Sequence, residues 1–511
     1  MRGEFVFPTH SRYRHPNEKR GFFSRKRMPV DLLYALRVVG FILLFENVFL
    51  VATLLVSLGN HEWREVLAFA VTMGVMTLLG ALLLLLTRKH KNRFQGYREG
   101  ALAVVLTWLT LSLIGMLPFL IGEHHTSLAD AFFETVSGFT TTGFTTFLSV
   151  ESLPRGILFW RSIMQWQGGI GIVVFTMGLS PLFSGGGGLL YNAEVSGITH
   201  ERFLPRIKEV ANRLGLLYLG LTVLLVVLLC IGKVPLFDAV CHAFSTISSG
   251  GFSTRNEGIP AFHSSYIEYV LIFFMIVASL NLSLIYQVVV GKPKSLYKDE
   301  EFRWFIAAIG IATAIVSVLL VTNKIFPTVE ESFRQAFFQV VSITSTTGYY
   351  TSVANTWGAV FLSIFIPLMF VCGCAGSTSG GLKMSRFMVM IKNLRNEFKK
   401  RIHPSMVTSV RFNGVSVASN VVMQVLAFIS LYLIIIVIGT VLVASFGNNF
   451  TTSFSNVISA ISNIGYGFGS FSYNFAFAGS AEKFILALIM LAGRLEVFTF
   501  VGILMPSFYR R

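Results

Sequence analysis

Between Val415 and Ala481 the chain contains no Asp, Glu, Lys or Arg. Shorter uncharged runs occur at 101–122, 214–232, 269–291 and 304–323. Each of these matches the roughly 20 apolar residues that one helical membrane crossing needs. The 415–481 run is too long for one crossing and reads as a span followed by a buried re-entrant piece. Charged residues make up 13% of the 511-residue chain, about half the share in soluble domains. An integral membrane protein is expected, and an all-α one.

The formal net charge of +16 does not point to nucleic acid. Lys and Arg concentrate at 1–30, 87–98, 202–208, 292–303, 383–411 and 510–511, whereas 122–130 and 446–456 have none. That alternation is the positive-inside pattern and places both termini in the cytoplasm. No apolar run precedes residue 31, so no cleavable signal peptide is expected. Cys230, Cys241, Cys372 and Cys374 sit in apolar surroundings, and Cys372-Gly-Cys374 lacks a second ligand pair. They read as inert buried thiols.

Two helices come first, at 30–58 and 66–87, and form an accessory hairpin. Arg37 and Glu46 within the first imply one face packed on protein. From residue 100 a pattern of helix, short amphipathic segment, Gly/Ser/Thr loop and helix recurs at 101–182, 214–291, 304–390 and 415–506. The corresponding units are 1–99 for the cytoplasmic N-terminus and hairpin, then 100–210, 211–302, 303–412 and 413–511 for four repeats. The loops align on Gly143, Gly251, Gly348 and Gly465. Six residues before each glycine stands Ser137, Ser245, Ser342 or Ser459, and three before it Thr140, Ser248, Ser345 or Ser462. An aromatic follows each glycine: Phe144, Phe252, Tyr349 or Tyr466. Phe132, Val240, Phe337 and Phe454 recur eleven residues before it. A repeat of about a hundred residues is a membrane module rather than a solenoid unit.

These residue types suit the binding of a dehydrated monovalent cation. Stacked carbonyl oxygens can replace its water, and turning them all to one side takes backbone angles that glycine adopts readily. Preceding short helices can point their negative C-terminal ends at the ion. No carboxylate stands at the loop centres, which disfavours a divalent site. Candidate ion-binding residues are Thr141, Thr142 and Gly143; Ser249, Gly250 and Gly251; Thr346, Thr347 and Gly348; and Asn463, Ile464 and Gly465. The fourth loop departs most, with Asn463-Ile464 where the others have hydroxyls or glycine.

Three further stretches are distinctive: Trp160-Arg161 with 165–171 (QWQGGIG), 375–383 (AGSTSGGLK) and 493–498 (GRLEVF). With the four loops, they resemble the TrkH/TrkG/KtrB family of potassium uptake proteins. The resemblance covers most of the chain from residue 100 onward, and the initial hairpin is more like TrkH. It implies four helix–pore-helix–filter–helix repeats around one pseudo-fourfold pore, K+ as the transported ion and no organic cofactor on this chain. Glycine at all four filter centres looks like the potassium-selective form. The family's filter pattern often has proline where Tyr466 stands. The resemblance further implies a homodimer in the bacterial inner membrane, each subunit with its own pore, and a cytosolic nucleotide-binding ring of TrkA or KtrA type.

Residues 373–381 (GCAGSTSGG) are too rich in small residues to continue a helix. By resemblance they form the intramembrane loop that blocks the pore, which makes Gly376, Ser377, Thr378, Ser379, Gly380, Gly381 and Lys383 gate candidates. A nucleotide P-loop is excluded because the Gly-Lys-Ser/Thr ending is missing; a close-packing kink is the plainer alternative. Arg494 falls near the centre of a last span at 483–506, and an ionisable residue there is a functional hypothesis by default. The resemblance places it below the filter as an electrostatic barrier. Glu496 should face elsewhere and pair with another element, Lys383 being one candidate. Residues 168–171 read as helix packing. Residues 184–188 followed by Glu194 resemble a cytoplasmic segment of the family.

No catalytic triad or zinc motif is present, so an enzyme is not expected. The rival readings are a KdpA-like subunit of an ATP-driven pump and a secondary transporter of another substrate. The latter predicts two matching discontinuous helices.

Overall fold

The structure is a computed structural model and describes residues 31–88, 97–123, 126–178, 207–352, 354–472 and 474–509. The basic segments at 1–30 and 510–511, most of 202–208, and the 184–188 stretch with Glu194 lie outside the described residues. Helices α1 (Leu32–Gly59) and α2 (Trp63–Thr87) form the hairpin. They cross at glycines: a Cβ on Gly80 would lie 3.0 Å from Gly40 O. Such close approach of two backbones is how small residues hold apolar helices together. Glu46 is buried, as a protein-packed face requires, and α1 also packs on α3 (Tyr97–Gly115) and α5 (Arg155–Gly178). Glu62 in the hairpin turn caps α5, accepting from Arg155 N at 2.7 Å and Gly156 N at 2.9 Å.

Apart from a few one-turn helices, the others follow in the order α4 (Leu128–Phe139) between α3 and α5, then α6 (Ile207–Ile231), α7 (Leu236–Ile247), α8 (Ser265–Ser279) and α9 (Leu282–Val289). Next come α10 (Glu300–Thr322), α11 (Val329–Thr344), α12 (Ala359–Leu368) and α13 (Met384–Ile402). A two-stranded hairpin, β1 (Arg411–Phe412) and β2 (Val415–Ser416), precedes α14 (Ser419–Ala444), α15 (Phe450–Ser462), α16 (Ser480–Arg494) and α17 (Val497–Leu504).

Among the described residues, six helices are long and apolar enough to cross a membrane, and up to eight if each of two bent pairs counts as one span. Leu78, Leu86, Leu216, Ile311 and Val441 are left exposed on their outer faces. In water such surface would be an association liability; against lipid it costs nothing.

The short helices α4, α7, α11 and α15 are buried instead. Ser127, Thr328 and Asn449 cap three of them by accepting from Asp130 N, Glu331 N and Thr452 N, as short polar side chains do at helix starts.

Hydropathy predicted one straight crossing at 269–291 and another at 483–506. Both are broken: α8 and α9 meet at 109°, and α16 and α17 at 114°. Gly171 likewise leaves helical geometry inside α5 (φ 64°). A break also separates α12 from α13, as the small residues at 373–381 predicted. Every helix that follows an aligned loop is therefore interrupted, at a similar distance along the chain from its central glycine. At the α8 break the freed backbone groups are taken up by the neighbouring break. Cys374 N donates to Ser279 O (2.8 Å), Thr378 N to Ala278 O (3.3 Å), and Leu282 N to Gly376 O (3.1 Å). Irregular backbone survives inside a membrane protein only when it is paired in this way or lines a cavity.

Candidate functional site

All four short helices end in the same turn. Two residues before each central glycine, Thr141, Ser249, Thr346 and Asn463 take left-handed φ values of 55°, 56°, 59° and 55°. One residue later, Thr142, Gly250, Thr347 and Ile464 donate backbone N–H to the carbonyls of Ser137, Ser245, Ser342 and Ser459 at 2.9, 2.7, 3.0 and 2.9 Å. This is a Schellman-type C-cap, in which a left-handed residue closes the last turn. Glycine usually occupies that position; here a hydroxyl residue or asparagine does, at a conformational cost of about 1–2 kcal/mol apiece. The fourth loop, whose side chains depart most, has the same backbone turn as the other three.

The central glycines follow with φ values of 95°, 77°, 76° and 80°. A Cβ on Gly143 would lie 2.3 Å from Gly250 O. On Gly251 it would lie 1.9 Å from Thr347 O, on Gly348 1.9 Å from Ile464 O, and on Gly465 1.9 Å from Thr142 O. Each loop thus abuts the next, and the fourth returns to the first. The twelve candidate residues stand together in one closed ring. All four central glycines line a single cavity of about 110 Å³, whose lining also includes Tyr349, Tyr350, Phe252 and Asn474.

The side chains around this ring include some that sequence reasoning did not single out. Nine residues before the central glycines stand Glu134, His242, Gln339 and Asn456, all buried. Glu134 accepts from Thr146 N (2.9 Å), His242 Nε2 meets Ser253 Oγ (3.0 Å), and Asn456 Oδ1 fills the space a Cβ on Gly467 would take. A polar residue in register was visible in the sequence, but four different residue types concealed it. Gln165 clamps the second loop, donating to Gly250 O at 2.6 Å and accepting from Phe252 N at 3.1 Å. Asn463 Nδ2 ties the fourth loop to the first through Thr142 Oγ1 (3.0 Å).

Arg161 joins the first two loops. It pairs with Glu134 at 2.7 Å, both side chains being buried, donates to Thr145 Oγ1 at 3.1 Å and stacks 4.1 Å over Phe252. Removing one partner of a buried pair costs about 3–5 kcal/mol, because the other charge is left uncompensated. Arg161→Met should therefore lower the thermal unfolding midpoint in detergent far more than Arg161→Met with Glu134→Gln does. Equal midpoints for the single and double variants would show that the pair does not hold the loops.

The 369–383 segment lies against the ring on the side away from the cavity. Thr378 Oγ1 reaches Ile247 O (3.1 Å) and Ser249 Oγ (3.0 Å) of the second loop. Ser379 Oγ donates to Ser345 O (2.9 Å), and Gly380 N to Thr346 Oγ1 (2.9 Å), in the third. A Cβ on Gly380 would lie 2.4 Å from Ser462 O of the fourth. Ser377 bonds within the segment to Cys374 O, Gly381 backs onto Cys372, and Lys383 Nζ donates to Ser379 O.

Arg494 closes the remaining side. Its guanidinium donates to Thr378 O (2.9 Å), to Gly168 O and to Gly169 O (3.4 Å). It sits at the end of α16 and not midway along one continuous helix, because the chain turns sharply at Leu495 and Glu496 (φ 60°). Glu496 pairs with Arg386 at 3.0 Å, not with Lys383. Arg386 sits on the first turn of α13 and also stacks 3.8 Å over Phe428. Lys383 instead turns back onto its own segment.

Apolar crossing helices, buried short helices and a closed ring of loops define a polytopic helical membrane protein. The family described as TrkH, cation transport protein, matches residues 67–507. The Trk system potassium uptake protein TrkH of Salmonella typhimurium is 35% identical over 482 residues, 93% of this chain and 98% of that protein. TrkG of Escherichia coli is 31% identical, covering 92% and 97%. The crystal structure of the potassium transporter TrkH from Vibrio parahaemolyticus superposes with a TM-score of 0.86 at 33% identity, covering 94% of this chain and 100% of that one. The chain belongs to the TrkH family, and it is closer to TrkH than to TrkG.

Proposed function

We propose that this protein carries potassium into the cell across the cytoplasmic membrane, through a selectivity filter made of the four-loop ring. The observation that carries this reading is cyclic closure: four loops with one backbone turn, each glycine against a carbonyl of the next loop. A cage of backbone oxygens at the end of four short helices suits a dehydrated monovalent cation. Thr141, Thr142, Gly143 and their counterparts hold the ion, and the four repeats at 100–210, 211–302, 303–412 and 413–511 surround one pseudo-fourfold axis.

On this reading the 369–383 segment obstructs the path beneath the filter, and Arg494 adds a positive barrier. The family relation supports a homodimer with a pore in each subunit and a cytosolic nucleotide-binding partner ring. Both termini face the cytoplasm. Interrupted helices fall beneath all four loops, not in one matched pair, which favours the four-loop pore over a two-helix transporter site.

Purified protein in liposomes should take up rubidium when its partner ring is present, with potassium competing far better than sodium. Absence of uptake under those conditions, or equal competition by sodium, overturns the proposal.

A further inference from the structure

The start of α10 carries three consecutive acids, Asp299 at the N-cap and Glu300 and Glu301 in the first turn, and they divide between two tasks. Asp299 caps the helix, accepting from Phe302 N at 2.9 Å, and also accepts from Asn413 Nδ2 (2.9 Å) in the turn between β1 and β2. Glu300 takes Lys392 Nζ of α13 at 2.5 Å and Asn413 N at 3.1 Å. Both therefore hold elements outside the ring.

Glu301 turns the other way and is buried, 5% exposed. Its Oε1 accepts from Ala375 N and from Ser385 N, each at 2.8 Å. Those two amides bracket the part of the segment that touches the ring, Thr378, Ser379 and Gly380 included. Ser385 lies in the first turn of α13, where amides have no helical partner, and Lys383 at the N-cap offers no side-chain cap. A carboxylate from another helix supplies the missing acceptor, where the helix dipole favours negative charge. One oxygen thus pins the stretch from 375 to 385, which includes the ring-touching residues, to α10.

We infer that Glu301 is the positioning residue that holds the 369–383 segment in its obstructing place. The inference rests on the proposed role of that segment. It adds that the seat is set from α10, by a residue that lines neither the ring nor the cavity. The adjoining Glu300–Lys392 pair fixes α13 to the same turn, so a pull on α13 or on the β1–β2 hairpin arrives at the residue that pins the segment.

The test uses the full-length protein in liposomes with three readouts: rubidium flux without the partner ring, potassium-over-sodium competition, and the labelling rate of native Cys374 by a small thiol reagent, followed by mass spectrometry. Cys374 is 2% exposed and immediately precedes the first pinned amide, Ala375 N. Glu301→Ala should raise both flux and Cys374 labelling by on the order of tenfold, as expected when two buried amides lose their acceptor, with competition unchanged. Glu301→Gln keeps an oxygen acceptor and should show a smaller rise in both.

Unchanged Cys374 labelling in folded Glu301→Ala overturns the assignment. If that variant cannot be recovered folded, Glu301→Gln decides: parent-level labelling overturns the assignment equally. A separate variant shortened within 376–381 distinguishes the two levels of the argument. If shortening raises flux and Glu301→Ala changes nothing, the obstruction stands and Glu301 is not its latch. If Glu301→Ala frees Cys374 but flux stays at the parent level, the obstruction fails, and this inference fails with it.

Discussion

Gly251→Ala is expected to abolish selective uptake. The new Cβ would sit 1.9 Å from Thr347 O, and that obstacle is backbone, so no side-chain rotation relieves it. The residue must also keep a φ of 77°, which costs an L-residue about 1–2 kcal/mol. Either the second and third loops separate or the second loop abandons its turn, and both outcomes spoil the spacing of the carbonyl cage. Potassium uptake should fall by roughly a hundredfold, corresponding to just under 3 kcal/mol of lost stabilisation along the path, and sodium should compete much better than in the parent. Gly251→Ser meets the same obstacle and should behave alike. Gly310→Ala is the matched control, since no atom lies within 4 Å of its Cβ position in α10. Retained discrimination in folded Gly251→Ala would remove the second loop from the ion path.

Arg494→Ala carries the second large effect, in the opposite direction. A cation passing 4 Å from a guanidinium meets about 4 kcal/mol of repulsion at an effective dielectric near 20. Carbonyl oxygens of Thr378, Gly168 and Gly169 already surround that guanidinium and offset part of its charge. Its removal also frees these carbonyls and unties the 369–383 segment from α5. Partner-free rubidium flux should rise tenfold or more, each factor of ten corresponding to about 1.4 kcal/mol of barrier. Arg494→Lys keeps the charge but loses the forked contact, and should fall between parent and alanine. Flux at or below the parent level in folded Arg494→Ala would sink the barrier role.

Much of this arrangement is legible in the sequence. Long apolar runs gave the crossings, and loops aligned on Gly143, Gly251, Gly348 and Gly465 marked residues that the fold brings into one ring. The breaks in α8–α9 and α16–α17 were not legible. Leu280-Asn281 and Leu495-Glu496 contain neither glycine nor proline, and hydropathy averages over a window that cannot register a backbone turn. At the α8–α9 break a distant segment supplies hydrogen bonds that the helix gives up, as Gly376 O does for Leu282 N. Long-range pairing also explains the misplaced partner of Glu496. From sequence, Lys383 and Arg386 are both basic residues near one helix start, and only packing against α14 selects Arg386. Glu301 was invisible for the same reason, since nothing local links it to Ala375 or Ser385.

The ring has one further property, which can be probed one loop at a time because all four loops lie on a single chain. Contact between neighbours is not reciprocal: the glycine of one loop presses on a carbonyl of the following loop, while its own loop's carbonyl receives the preceding glycine. Damage should therefore travel one way round. Enlarging Gly143 disturbs the second loop first, and enlarging Gly465 disturbs the first. Second-site suppressors should cluster in the loop downstream of the lesion, giving the ring a handedness in its genetics that four identical subunits could never reveal.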